Sequence, residues 1–84
     1  MDVKILGTGC PNCKRLEKVT RQALDEMEVE ASVTKVTDMM DILSYGIPAT
    51  PGLVIDGKVV SYGRVPTKAE AVSLLTAELS SDEK

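Results

Sequence analysis

An α/β fold is what this 84-residue sequence predicts: a four-stranded mixed sheet in the order β-α-β-α-β-β-α, with helices on both faces. Three observations predict it. The apolar spacing changes from alternation to three- and four-residue steps at Pro11. Asp56-Gly57 lies between two short apolar runs, and Thr67 with Glu70 carries the start signal of a last helix.

Val3 to Leu6 is the first strand, with Val3 and Ile5 on one face and Lys4 and Leu6 on the other. It ends in Gly7-Thr8-Gly9, a flexible turn. From Pro11, Cys13, Leu16, Val19 or Thr20, Ala23, Leu24 and Met27 recur at helical steps. Lys14, Arg15, Glu17, Lys18 and Arg21 cover the outer face of that helix. Pro11 suits its first position, where a missing N–H loses nothing. Ala31 to Val36 alternates and is rich in β-branched residues, so it is the second strand. A strand–helix–strand unit of this length implies a right-handed crossover and parallel pairing.

Asp38 is placed to cap a short second helix running through Tyr45, with Met39, Ile42 and Leu43 turned inward. Gly46 would end that helix in the left-handed conformation. Leu53 to Ile55 and Val59 to Ser61 are strands joined through Asp56-Gly57-Lys58, a type I′ hairpin signal. Thr67 and Glu70 form a capping box for the last helix, whose apolar stripe is Ala71, Val72, Leu75 and Leu79. Ser80 to Lys84 is a polar tail expected to fray. Tyr45 and Tyr62, the aromatics of the chain, are expected to fill gaps at the core edge.

Length and composition limit the function. Residues 1–84 make one domain, without repeats or linkers. The chain is 43% apolar but has no Trp or Phe, so its core is aliphatic. A formal charge of −3 with so few aromatics argues against nucleic acid, which rewards basic patches and stacking rings. The longest uncharged stretch, Ile42 to Ile55, is broken by two Pro and two Gly and is too short to span a bilayer. The N-terminus shows no export signal, so a cytoplasmic protein is expected. There is no His, which removes the commonest general base and metal ligand.

Chemistry then falls to Cys10-Pro11-Asn12-Cys13. In a reducing compartment a pair at this spacing is redox-active or metal-binding rather than a structural staple. Cys10 falls at the start of a helix, where unpaired backbone N–H groups and the helix dipole stabilise an anion. That raises the fraction of thiolate, the form that attacks a disulfide. Cys13, one turn later, is within disulfide reach but faces the protein. Cys10 would form a mixed disulfide with a partner, and Cys13 would displace the reduced partner. Lys14 and Arg15 occupy a first turn that normally favours acids. Either they favour the thiolate or they are simply solvated cations. Zinc would require four ligands that a single chain does not supply, short of a dimer sharing two pairs. The sharper rival is a soft-metal chaperone for copper or zinc. Those modules run β-α-β-β-α-β and usually carry a Met before the first Cys, whereas here Gly7-Thr8-Gly9 precedes it.

Four segments resemble the small thioredoxin-like redox-active disulfide proteins, glutaredoxin-sized members of the thioredoxin superfamily found in archaea and anaerobic bacteria. They are Gly9-Cys10-Pro11-Asn12-Cys13, Tyr45-Gly46-Ile47 running into Thr50-Pro51, Val54-Ile55-Asp56-Gly57-Lys58, and Gly63-Arg64-Val65-Pro66. The resemblance extends from Val3 to about Leu79. It implies a sheet with strands in the spatial order second, first, third, fourth. It implies a thiol–disulfide oxidoreductase and electron carrier that reduces partner-protein disulfides, acting as a monomer with no bound cofactor. Pro11, Asn12, Lys14 and Arg15 would support the two cysteines. The family's proline before the third strand is cis, so a cis bond is expected at Thr50-Pro51 and a trans bond at Pro48. The backbone of Thr50 would pair with an extended segment of the partner. Gly63 matches a family glycine that lets the partner approach, or is an ordinary turn glycine.

The sequence also departs from the family. Thioredoxins place a Trp before the first Cys and an acidic side chain on the preceding strand; here Gly9 and Lys4 stand there. The group that takes the Cys13 proton is left open. The acidic pair with which glutaredoxins hold glutathione is missing from Pro66-Thr67-Lys68-Ala69-Glu70. A thioredoxin-reductase-type flavoprotein is therefore the expected electron donor.

Overall fold

The computed structural model describes residues 1–81. Its elements run β1 (Asp2–Leu6), α1 (Pro11–Met27), β2 (Ser32–Val36), α2 (Met39–Ser44), β3 (Gly52–Ile55), β4 (Lys58–Tyr62) and α3 (Lys68–Ser81). The strands form one four-stranded sheet in the order β2-β1-β3-β4. β1 and β2 are parallel, while β3 is antiparallel to both β1 and β4. This is the mixed sheet that the element order predicts.

Strand alternation divides the core between the two faces of the sheet. Val3, Ile5, Leu53 and Ile55 meet Leu16, Ala23 and Leu24 of α1 and Ala71 and Leu75 of α3. Leu6 and Val54 point the other way, against Ile42 of α2 and Ile47. Helices therefore cover both faces, two on one side and the short α2 on the other. At the helical step that allowed Val19 or Thr20 inward, Thr20 is the buried residue, and among the described residues its hydroxyl has no hydrogen-bond partner.

Local chemistry fixes the ends of the elements. Asp56 and Gly57 both have positive φ, 50° and 84°, as a type I′ turn requires. Asp38 accepts hydrogen bonds from the Met40 and Asp41 N–H groups at 2.8 and 3.4 Å, capping α2. Gly46, at φ 74°, donates its N–H to the Leu43 carbonyl at 2.9 Å and ends the helix. The capping box of α3 closes in both directions, Thr67 N–H to Glu70 Oε1 at 3.1 Å and Glu70 N–H to Thr67 Oγ1 at 3.2 Å. Arg64 Nη2 reaches both Glu70 oxygens at 2.8 and 2.7 Å. Those bonds, with the Thr67 N–H, hold the Glu70 carboxyl below its ordinary value.

Three expectations are corrected. Met39 and Leu43 do not face inward; they are 52% and 58% exposed, and Ile42 is the buried residue of α2. The cluster on that face holds Leu6, Ile42, Ile47 and Val54, and Tyr45 packs against it where Met39 and Leu43 do not. Tyr62, at 50% exposure, is not a core filler, whereas Tyr45 does pack at the core edge. The backbone of α3 continues through Ser81, so Ser80 and Ser81 belong to the helix, because its hydrogen-bonded ladder continues through them. The remainder of the expected tail, 82–84, lies outside the described residues. The β3–β4 register shifts between Leu53 and Val54, leaving Val60 as an extra residue opposite them.

Candidate active site

β1 ends at Leu6, and the chain turns through Gly7-Thr8-Gly9 to start α1 at Pro11. Cys10 takes the N-cap position, with φ −66° and ψ 163°, and Pro11 occupies the first turn. The Cys13 N–H donates to Cys10 Sγ at 3.1 Å. A helix N-cap normally uses an oxygen for this contact; here a sulfur makes it. No acidic residue stands in the first turn, which carries Lys14.

Cys10 and Cys13 are joined as a disulfide. The two sulfurs differ in access. Cys10 is half-buried, whereas Cys13 is 5% exposed. Gly7 brings the end of β1 against Cys13: a Cβ built there would collide with Cys13 Sγ and lie 3.0 Å from its Cβ. Gly7 was legible only as a turn glycine, since its closeness to a sulfur six residues away depends on the crossover.

The remaining predicted site residues group as follows. Pro11, Asn12, Lys14 and Arg15 are exposed around the cysteines. Gly52 pairs with Leu6 and with Tyr62, so the segment entering β3 and the segment leaving β4 lie at the end of the sheet from which β1 leaves for Cys10. Thr50 is exposed, Pro51 is buried, and the bond between them is cis. Gly63, at φ 74°, donates its N–H to the Pro51 carbonyl at 2.8 Å, joining those two segments. Lys4 is apart from this group. Its Nζ donates to the Tyr45 hydroxyl at 3.3 Å, and that bond holds the ammonium above its ordinary value.

A cleft of about 100 Å³ opens beside Cys13, between the start of α1 and the end of β2. Lys14, Glu17 and Lys35 contribute its charged lining. Glu17 follows Cys13 by four residues, so both project from one side of α1. Lys35 pairs with Ile5 in the β1–β2 register and shares its face, toward α1.

The profile of the thioredoxin domain family matches residues 1–76. The chain belongs to that family. A curated thioredoxin of Methanothermobacter thermautotrophicus is 42% identical over 76 residues, covering 90% of this chain and 99% of the relative. One from Methanocaldococcus jannaschii is 34% identical over 68 residues, covering 81% and 78%. The solved structure of thioredoxin 1 from Thermosipho africanus superposes over the full length of both chains with a TM-score of 0.60 at 15% identity, which speaks for the shared fold. Thioredoxin-family membership together with the Cys10–Cys13 disulfide makes thiol–disulfide exchange the chemistry of this site. Among the described residues no helix is long and apolar enough to cross a membrane.

Proposed function

We propose that this protein is a dithiol reductant of partner-protein disulfides, with Cys10 as attacking sulfur and Cys13 as resolving sulfur. One observation carries the reading: the sulfurs are unequal, Cys10 half-buried at a helix N-cap and Cys13 almost fully enclosed. In the reduced protein the Cys13 N–H and the α1 dipole stabilise negative charge on Cys10. Cys10 thiolate attacks one sulfur of the partner disulfide, and the other sulfur leaves as a thiolate. Cys13 then attacks Cys10, releasing the second partner thiol and closing Cys10–Cys13. Two electrons pass from the dithiol to the partner, and no cofactor is needed.

The backbone of Thr50 lines up an extended stretch of the partner, and Gly63 leaves room for it beside the Pro51 carbonyl. Pro11 and Asn12 hold the tight turn between the sulfurs, and Lys14 and Arg15 add positive charge around it. A thioredoxin-reductase-type flavoprotein in the cytoplasm returns the electrons to a monomeric carrier. The test is reduction of insulin by the protein recycled with a dithiol. Cys10→Ser is expected to abolish turnover, and Cys13→Ser to accumulate a mixed disulfide through Cys10. Alkylation by iodoacetamide should reach Cys10 first and at lower pH. Faster labelling of Cys13 would overturn the assignment of roles. Purification with stoichiometric copper or zinc and no reductase activity would favour a soft-metal module instead.

A further inference from the structure

We infer that Glu17 accepts the Cys13 proton during resolution of the mixed disulfide, through water held in the cleft that both side chains line. The inference deepens the proposed function and rests on its assignment of Cys13 as the resolving sulfur. Cys13 is 5% exposed, so its thiol cannot hand a proton freely to bulk solvent. The acceptor has to be reached through the cleft. Among the described residues, the charged groups lining it are Lys14 and Glu17 from α1 and Lys35 from β2. The other lining groups, from β1, the following turn and Thr37, carry no charge. An ammonium has no lone pair to offer, which leaves the Glu17 carboxylate. Lys4 of β1 is engaged with Tyr45 and does not line the cleft.

Glu17 is also held in place. Its Oε2 accepts from Arg21 Nε at 3.0 Å, and its Oε1 lies 3.7 Å from Lys35 Nζ. Those two cations come from different elements, so the carboxylate is fixed where α1 and β2 meet. Its side chain is 19% exposed, close enough to solvent to release a proton afterwards. The cleft volume of about 100 Å³ accommodates water beside Cys13.

The step balances. The Cys13 proton moves through water to Glu17, and the Cys13 thiolate attacks Cys10 Sγ. The Cys10–Cys13 bond forms as the bond from Cys10 to the partner sulfur breaks. The electron pair leaves on the partner sulfur, which takes up a proton, and Glu17 gives its own proton to solvent. The dithiol loses the two electrons that the partner disulfide gains.

Stopped-flow reaction of the reduced protein with Ellman's reagent tests this directly. Attack by Cys10 releases one coloured thiolate at a rate set by reagent concentration. Resolution by Cys13 releases the second in a phase independent of reagent. In Glu17→Gln the ratio of the second rate to the first is expected to fall at least about tenfold near about pH 6 and to recover as the pH rises, because hydroxide then takes over the role of the base. Glu17→Asp should keep much of the ratio. Loss of a merely electrostatic carboxylate has the opposite sign: removing a negative charge beside Cys13 would help it ionise and speed the second phase. An unchanged or faster second phase in Glu17→Gln overturns the inference, as does equal behaviour of the Gln and Asp variants. Absence of the two phases in the unsubstituted protein would instead defeat the underlying role of the two sulfurs.

Discussion

Single residues at this site work through steric exclusion as much as through chemistry. Gly7 has no reactive group, yet a side chain there would occupy the space of Cys13 Sγ. Cys13 cannot step aside, because it is enclosed and tied to Cys10. Gly7→Ala is therefore expected to destabilise the oxidised protein by about 1–3 kcal/mol, the usual range for overpacking a dense interior. Urea unfolding followed by circular dichroism measures it; an unchanged midpoint would mean that the strand end yields. Cys10, Cys13, Pro11 and Asn12 could be read from the chain because they are neighbours in it. Gly7 and the Glu17–Lys35 pair could not, since each depends on two elements meeting after the crossover.

Elements differ in how firmly the sheet holds them. Within α2 the stripe of Met39, Ile42 and Leu43 looks uniform in sequence, but only Ile42 reaches the core. Ile42→Ala should cost about 2–4 kcal/mol, whereas Leu43→Ala should stay within about 0.5 kcal/mol. Equal losses in thermal melts would show that Leu43 is buried after all. Periodicity identifies such a stripe without revealing how deep the layer beneath it is, so it cannot tell that α2 buries one residue of the three. The α3 capping box was legible because all its partners lie within four residues. Its pH dependence follows from Arg64. Folded Glu70 binds its proton less tightly than ordinary glutamate, so the unfolded chain takes up more protons in acid. The stabilisation is whole above about pH 4.3 and disappears as pH falls through the lowered folded value. Glu70→Gln should be less stable than the unsubstituted protein at neutral pH, and the gap in melting temperature should close in acid. A constant gap would separate Glu70 from the acid response.

Across the whole molecule, the redox state should alter stability without altering the fold. The disulfide closes a ring over a sequence separation of 3, and so short a ring constrains the unfolded chain by only about 2 kcal/mol. Reduction should leave the far-ultraviolet spectrum unchanged and lower the melting temperature by no more than about 15 °C. Loss of secondary structure on reduction would mean that the bond, not the core, maintains the sheet. The parallel pairing of β1 with β2 and the β3–β4 hairpin were legible from chain connectivity, whereas the order of the four strands followed from the family resemblance. The extra residue in β4 was not legible, because Val59-Val60-Ser61 reads as an unbroken strand. That residue has a bearing on how copies of the protein meet in a crowded cell. Among the described residues β4 is the outermost strand on its side, and an edge strand presents N–H and C=O groups that can template another chain. A bulge at Val60 kinks this rim and puts its donors out of step, while Lys58 places a charge at its start. The sheet thus keeps a margin from zipping into fibres with its neighbours.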